Sequence, residues 1–297
     1  MTAVFSNASV STPNSAVASL RYPAELVHAL RRHRDSSAVF LSDQVGARLL
    51  TRLDFVRLAP QRMLDLGAGM GPGATWLNER FPQAALVSVD LAADLLPPQS
   101  IRFWERWRSP ARQNVVAQCP ALPFREGSFG LIWANLLLPW VEPALLFPEV
   151  RRLLAPGGLF LFSCPGPDTL RELRQALAAG SGQETGLPSF PDMHDLGDAL
   201  VQARLADPVM EREDVTVHYP DLGLLLQDLR RLGPLPGTRP AGLRGRQSWH
   251  ALNQHYEGLR QQDGLPAGLE IILGQAWKPE PRTGHDGRPV IDIRAVS

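Results

Sequence analysis

The sequence predicts an α/β fold in which a mostly parallel sheet is covered by helices on both faces. Three observations predict it. Short apolar runs alternate with helical patterns between Arg62 and Val150; a glycine-rich turn, Gly67-Ala68-Gly69-Met70-Gly71, joins the first run to a helix; and Asp90 ends the next run. The chain of 297 residues exceeds the commonest domain size, but α/β domains often run to about 250 residues as one unit. One domain over 21–277 is therefore expected, with a tail at 1–20 and a Pro-, Gly- and charge-rich tail at 278–297.

Composition narrows the classes. An apolar share of 44% can fill a core, and 20% charged residues suits a soluble globular protein. Thirty basic residues balance thirty acidic ones, so no global field draws in nucleic acid or an anionic membrane. No window approaches the roughly 18 apolar residues needed to span a bilayer. The segment before Arg21 has no Lys or Arg, so it lacks the basic start of a secretion signal and the arginines of a mitochondrial presequence. Cys119 and Cys164 lie in separate predicted elements, form no disulfide framework and complete no metal site, which fits the reducing cytoplasm.

The elements follow from local patterns. Val45, Leu49, Leu50, Leu53 and Val56 repeat at helical spacing between Ser42 and Leu58, with Ser42 placed to cap that helix. MLDL, ALVSVD, NVVAQ and GLIWAN read as buried strands, with the helix ATWLNER after the first. LLAPGGLFLFS reads as a helix end, a tight turn at Pro156-Gly157 and a fifth strand. Asp168 is placed to cap TLRELRQALA; DLGDALVQARL and the strand VTVHY follow. Two helices near 221–232 and 247–261 form an insertion at about 221–262 before a last strand, LEIILGQAW.

The glycine turn carries the chemistry. Glycines allow a tight turn and let a ligand approach main-chain N–H groups, because a Cβ would occupy that space. The following helix N-terminus favours a carboxylate. Asp90, nineteen residues beyond Gly71, stands where a carboxylate can accept hydrogen bonds from both ribose hydroxyls. A bare strand-to-helix turn would need only the glycines; the spacing to Asp90 adds a nucleoside pocket. Gly69, Gly71 and Ala74 formally satisfy the dinucleotide pattern G-x-G-x-x-A. Asp65 opposes that alternative, since it would repel a pyrophosphate but attract an ammonium, and no second nucleotide half appears in the sequence.

The series DLGAGMG, VSVDLA, ALPFREGSFGLIWAN and LLAPGGLFLF resembles the class I S-adenosylmethionine methyltransferases over about 45–165. That resemblance implies a Rossmann-like sheet of seven strands. FSCPGPDTLRELRQA, FPDMHDLGDALVQARLADPVM, VHYPDLGLLLQDLRRLG and LPAGLEIILGQAWK are similar to the BioC family of biotin synthesis, the malonyl-acyl-carrier-protein O-methyltransferases. It implies S-adenosyl-L-methionine as cofactor, with Asp65, Gly67, Gly69 and Gly71 at its methionine end, Asp90 at the ribose and Gln118 at the adenine. The family usually has an acidic residue at Gln118; glutamine still accepts from adenine N6, without charge assistance. Arg31-Arg32-His33-Arg34-Asp35-Ser36-Ser37 also replaces the family's usual segment ending in Tyr-Asp.

The implied acceptor, a malonyl carboxylate with an ordinary carboxyl pKa of about 4, is ionised at neutral pH and needs no general base. A guanidinium suits a free carboxylate, making Arg171 and Arg174 candidate binders, with His194 a third; a solvated helix face and a capping bond are their plainer readings. Trp133, Trp140 and Tyr219 could wall the pocket or belong to the core. An acidic acyl-carrier protein needs a basic surface, for which Arg239, Arg244, Arg246 and Arg31, Arg32, Arg34 are available. Two alternatives stay open. The complex I assembly factor that hydroxylates a protein arginine shares much of this pattern, and a methyltransferase fold can serve as a non-catalytic scaffold.

Overall fold

The computed structural model describes residues 39–96, 111–181, 187, 189–231 and 246–281. Helix α1 (Val39–Thr51) runs into a 3-10 turn at Arg52–Phe55 and then strand β1 (Arg62–Leu66). Helix α2 (Gly73–Arg80), β2 (Ala85–Asp90), β3 (Arg112–Val116) and β4 (Phe129–Ala134) follow. Helix α3 (Pro143–Leu153) leads directly into β5 (Leu154–Pro165). Then come α4 (Arg171–Ser181), α5 (Met193–Gln202), β6 (Ala206–Tyr219), α6 (Leu222–Arg231), α7 (Arg246–Glu257) and β7 (Leu265–Trp277).

The seven strands form one sheet in the order β3-β2-β1-β4-β5-β7-β6, with β7 antiparallel to both its neighbours and the other pairs parallel. This is the Rossmann-like, mostly parallel sheet that the alternation predicts. Strand order reverses between β1 and β4, and at such a switch point the loops leaving the strand ends diverge and open a crevice.

Strand alternation divides the core between the two sheet faces. Leu64, Leu66, Ile132, Phe160 and Phe162 pack with Phe147 of α3 on one face; Met63, Leu131, Trp133 and Leu161 pack with Leu49 of α1 and Leu77 of α2 on the other. Phe160 and Phe162 stack at 4.9 Å between ring centroids, and Phe162 covers Gly274 of β7 so closely that a Cβ there would lie 2.2 Å from its ring. The helices inserted between β6 and β7 close a third cluster, in which Leu225, Leu252 and Tyr256 meet Leu173 and Leu177 of α4. Tyr256 is fully buried and its hydroxyl donates to the Pro266 carbonyl at 2.8 Å.

Several local expectations are corrected. Ser42 lies inside α1, where its carbonyl accepts from Asn135 Nδ2 at 2.8 Å, so it is not a cap. Helix α4 starts at Arg171, after Leu170 turns to φ 57, and the Asp168 carboxylate lies 3.6 Å from the Arg212 guanidinium; Asp168 therefore precedes the helix rather than capping it. Asp192 caps α5, accepting from the His194 N–H. The Pro156-Gly157 turn is an irregularity within β5, where Gly157 at φ 69 donates to the Lys278 carbonyl at 2.9 Å. Lys278 is buried and its ammonium meets Glu126 at 3.3 Å, so it packs rather than beginning a loose tail. The segments 1–20 and 282–297 lie outside the described residues.

Candidate functional site

The crevice begins where β1 ends. Gly67 at φ 74 and Gly69 at φ 52 take the left-handed conformation that a side chain disfavours. The Gly67 and Ala68 amides both donate to the Val89 carbonyl, at 2.8 and 3.0 Å, wrapping the loop over the end of β2. A Cβ on Gly67 would lie 2.8 Å from Leu137 Cδ1. Gly71 needs no such freedom: the nearest atom to a Cβ there is the Ala68 carbonyl oxygen at 3.5 Å. Gly73, at the start of α2, is the more constrained, because a Cβ would approach Trp133 Nε1 at 3.1 Å and Asp65 Oδ2 at 3.2 Å.

Asp90 is buried and holds the loop in place. Its Oδ2 accepts from the Gly69 N–H and its Oδ1 from the Ala92 N–H, both at 2.9 Å. A carboxylate oxygen carries two lone pairs, so each can accept from a ligand hydroxyl as well as from its amide. Asp65 is buried behind the loop, and its Oδ2 has no hydrogen-bond partner among the described residues. Burial, with the Asp90 charge adding to it, pushes the Asp65 carboxyl up to about 7. An unmatched buried acceptor of this kind fits a ligand that brings a cation.

The crevice, about 420 Å³, is lined by Leu66, Gly67, Val89, Asp90, Leu91, Ala117, Gln118, Cys119, Leu137, Trp140 and Val141. It is a largely apolar slot whose lining includes the polar residues Asp90 and Gln118, which suits a nucleoside. The Cys119 thiol is pushed up to about 12 by burial and by Glu149, and stays protonated.

A second cavity of about 600 Å³ adjoins the first. Leu41, Leu136, Pro139, Trp140, Pro165, Thr169, Leu170, Phe190, Leu229, Leu269 and Ile271 line it. Trp140 belongs to both walls. The segment after β4 is a partition: Leu136 and Pro139 face the second cavity, Leu137 and Val141 the first. Leu136 sits at φ 55, a conformation that costs a leucine about 1–2 kcal/mol. A chain of bonds holds it, from the Leu136 N–H to Ser163 Oγ at 2.8 Å and from Ser163 Oγ to Asn135 Oδ1 at 2.7 Å.

Comparison with known proteins supplies the family. A methyltransferase-domain family matches residues 64–162. Curated proteins named malonyl-[acyl-carrier protein] O-methyltransferase match most of the chain. The one from Gallionella capsiferriformans is 42% identical over 264 residues, covering 86% of this chain and 90% of the relative. The one from Laribacter hongkongensis is 40% identical over 267 residues, covering 86% and 90%. The chain belongs to the malonyl-[acyl-carrier protein] O-methyltransferase family. These are S-adenosylmethionine-dependent methyltransferases. The fold is shared with the YcgJ protein of Bacillus subtilis, with a TM-score of 0.53 at 18% identity over 79% of this chain and 99% of that one.

In this methyltransferase, Gly67, Asp90 and Gln118 line the crevice, Gly69 reaches it through Asp90, and Asp65 and Gly71 lie outside its lining. Arg171 and His194 are exposed, and neither they nor Arg174 line the second cavity. Arg174 Nε instead reaches the Thr169 carbonyl at 3.3 Å, and burial lowers its pKa. Trp133 is core, and Tyr219 packs against the third cluster with Asp228 beside its hydroxyl. Arg31, Arg32, Arg34, Arg239 and Arg244 lie outside the described residues, as does the side chain of Arg246. Sequence reasoning misses three features: Gly73, the partition at 136–141 and its Ser163 support. Gly73 is legible as the fourth glycine in an every-second-residue series; the partition has no sequence signature.

Proposed function

We propose that this chain methylates the free carboxylate of a malonyl group carried on acyl-carrier protein, a step of biotin biosynthesis performed in the cytoplasm. The observation that supports it most is the pair of cavities meeting at Trp140, in a chain whose relatives bear that name. Methyl transfer needs a donor and an acceptor on either side of one shared boundary. When bound, S-adenosylmethionine supplies an electrophilic methyl on a positively charged sulfur. The chain's residues hold it: Asp90 and Gln118 offer acceptors along the crevice, the αL turn at Gly67 keeps its floor open, and Asp65 offers a buried acceptor to an ammonium. Leu137, Val141 and Trp140 exclude water from the boundary, and the carboxylate needs no proton removed before it reacts.

Calorimetry with S-adenosylmethionine, followed by transfer of a labelled methyl to malonyl-carrier protein, tests this. Expected are one-to-one binding and an alkali-labile methyl on the carrier, and rescue of a biotin-requiring strain lacking its own enzyme. Binding without label on malonyl carrier would reject the proposed acceptor.

A further inference from the structure

Leu136 keeps φ 55 at the boundary of the two cavities, without the glycine that such a backbone favours. Strain of this kind persists only where the surroundings over-determine it. Here they do so through a run of hydrogen bonds that begins on α1. Asn135 Nδ2 donates to the Ser42 carbonyl at 2.8 Å, Ser163 Oγ donates to Asn135 Oδ1 at 2.7 Å, and the Leu136 N–H donates to Ser163 Oγ at 2.8 Å. Gly46 lets α1 come this close, since a Cβ there would lie 3.0 Å from Asn135 Nδ2 and 2.6 Å from the Trp76 ring. The direction of the run is fixed at both ends. A backbone N–H only donates and a carbonyl only accepts, so the buried Ser163 hydroxyl must pass its proton to Asn135, whose amide must both accept and donate. Leu41, next to Ser42, lines the second cavity with Leu136, and Leu137 lines the first. Asn135 therefore joins the α1 wall of one cavity to the partition between both.

Resting on the function proposed above, we infer that Asn135 and Ser163 are positioning residues for methyl transfer: acting through Leu136, they fix the partition and with it the alignment of donor and acceptor. Neither is among the described residues that line the two cavities, so their effect passes through the backbone they hold. In the transfer, a carboxylate oxygen lone pair forms the new O–CH3 bond while the electron pair of the S–CH3 bond remains on sulfur, and no proton moves. Oxygen, carbon and sulfur must then lie in line. The groups that grip the donor, Asp90 and Gln118 among them, stand on other segments, so donor binding does not depend on this run of bonds. Alignment does, and a misplacement of about 1 Å costs on the order of a hundredfold in rate.

The test separates rate from affinity. Single-turnover transfer of labelled methyl to malonyl-carrier protein reads the chemical step; calorimetry reads S-adenosylmethionine binding, and carrier binding to enzyme holding S-adenosylhomocysteine. Ser163→Ala takes the acceptor away from the Leu136 N–H, and should slow transfer at least about tenfold while both affinities stay within about threefold of wild type. Asn135→Asp, of the same size at a half-buried position, still accepts from Ser163 but cannot donate to Ser42. It should show the same split with a smaller fall in rate, and it carries the test alone if Ser163→Ala does not fold. Combined, the two substitutions should slow transfer little more than Ser163→Ala does, because both act through Leu136. Transfer at the wild-type rate in either folded variant would overturn the inference, as would a loss of rate matched by an equal loss of either affinity, or losses that multiply in the double variant. If the wild type labels the carrier but the variants show no split, only the positioning role fails; if the wild type transfers no methyl at all, the proposed function fails.

Discussion

Asp65 offers the sharpest test of the cofactor site, because its carboxyl is both buried and short of a partner. Holding it at about 7 instead of 3.8 means that the folded state resists ionisation which the unfolded chain undergoes freely. The difference corresponds to a cost on the order of 4 kcal/mol for the ionised fold at alkaline pH, an upper value that relaxation and water entry reduce. Because the folded pKa is raised, the unfolded state loses its proton first, and stability falls as pH rises from about 4 to about 7. Asp65→Asn should flatten this part of the profile and stabilise the ligand-free protein at pH 8 by at least about 1 kcal/mol, measured by urea unfolding. The same carboxyl should ionise when a cationic ligand binds beside it. S-adenosylmethionine binding at pH 6 should therefore release about one proton, seen as a buffer-dependent heat in calorimetry, and Asp65→Asn should abolish the release while weakening binding. Parallel pH–stability profiles for wild type and variant, together with proton-free binding, would refute the argument.

Three further outcomes follow from the geometry. Asp90→Ala removes the acceptors of the Gly69 and Ala92 amides, so it should cost about 1–3 kcal/mol in urea unfolding and a similar amount in cofactor affinity by calorimetry. Gly67→Ala places a Cβ 2.8 Å from Leu137 at φ 74, and should lower stability by about 1–3 kcal/mol and weaken S-adenosylmethionine binding; Gly71→Ala, with open space, should be far milder in both assays. Gly274→Ala drives a methyl into the Phe162 ring and should lower the thermal midpoint sharply, with partial recovery when combined with Phe162→Leu.

The parts of this fold that are legible in the sequence are those fixed by local chemistry. The strands β1, β2 and β4 announce themselves as apolar runs, and the αL glycines as the turn that ends the first of them. What escapes depends on partners distant in the chain. Asp168 has the chemistry of a helix cap, but its carboxylate meets the Arg212 guanidinium of β6 at 3.6 Å, and the helix starts later. Strand β6 reads as five residues in isolation yet spans Ala206–Tyr219, because the antiparallel ladder to β7 imposes extension on a polar stretch. The site divides likewise. The sequence points Asp90 at a ligand alone, whereas it also braces the glycine loop that borders the ligand's crevice. Arg171 and Arg174 stand out because guanidinium matches carboxylate, a rule about residue types that carries no information on which side of α4 faces the cavity.

Cys119 bears on the integrity of the protein itself. A thiolate is a far stronger nucleophile than a thiol, so an ionised cysteine in the crevice wall would be open to alkylation. With the thiol held at about 12, fewer than about one molecule in ten thousand carries that thiolate near neutral pH. Burial and the Glu149 charge thus keep this part of the lining protonated, and the thiol should be slow to react with iodoacetamide.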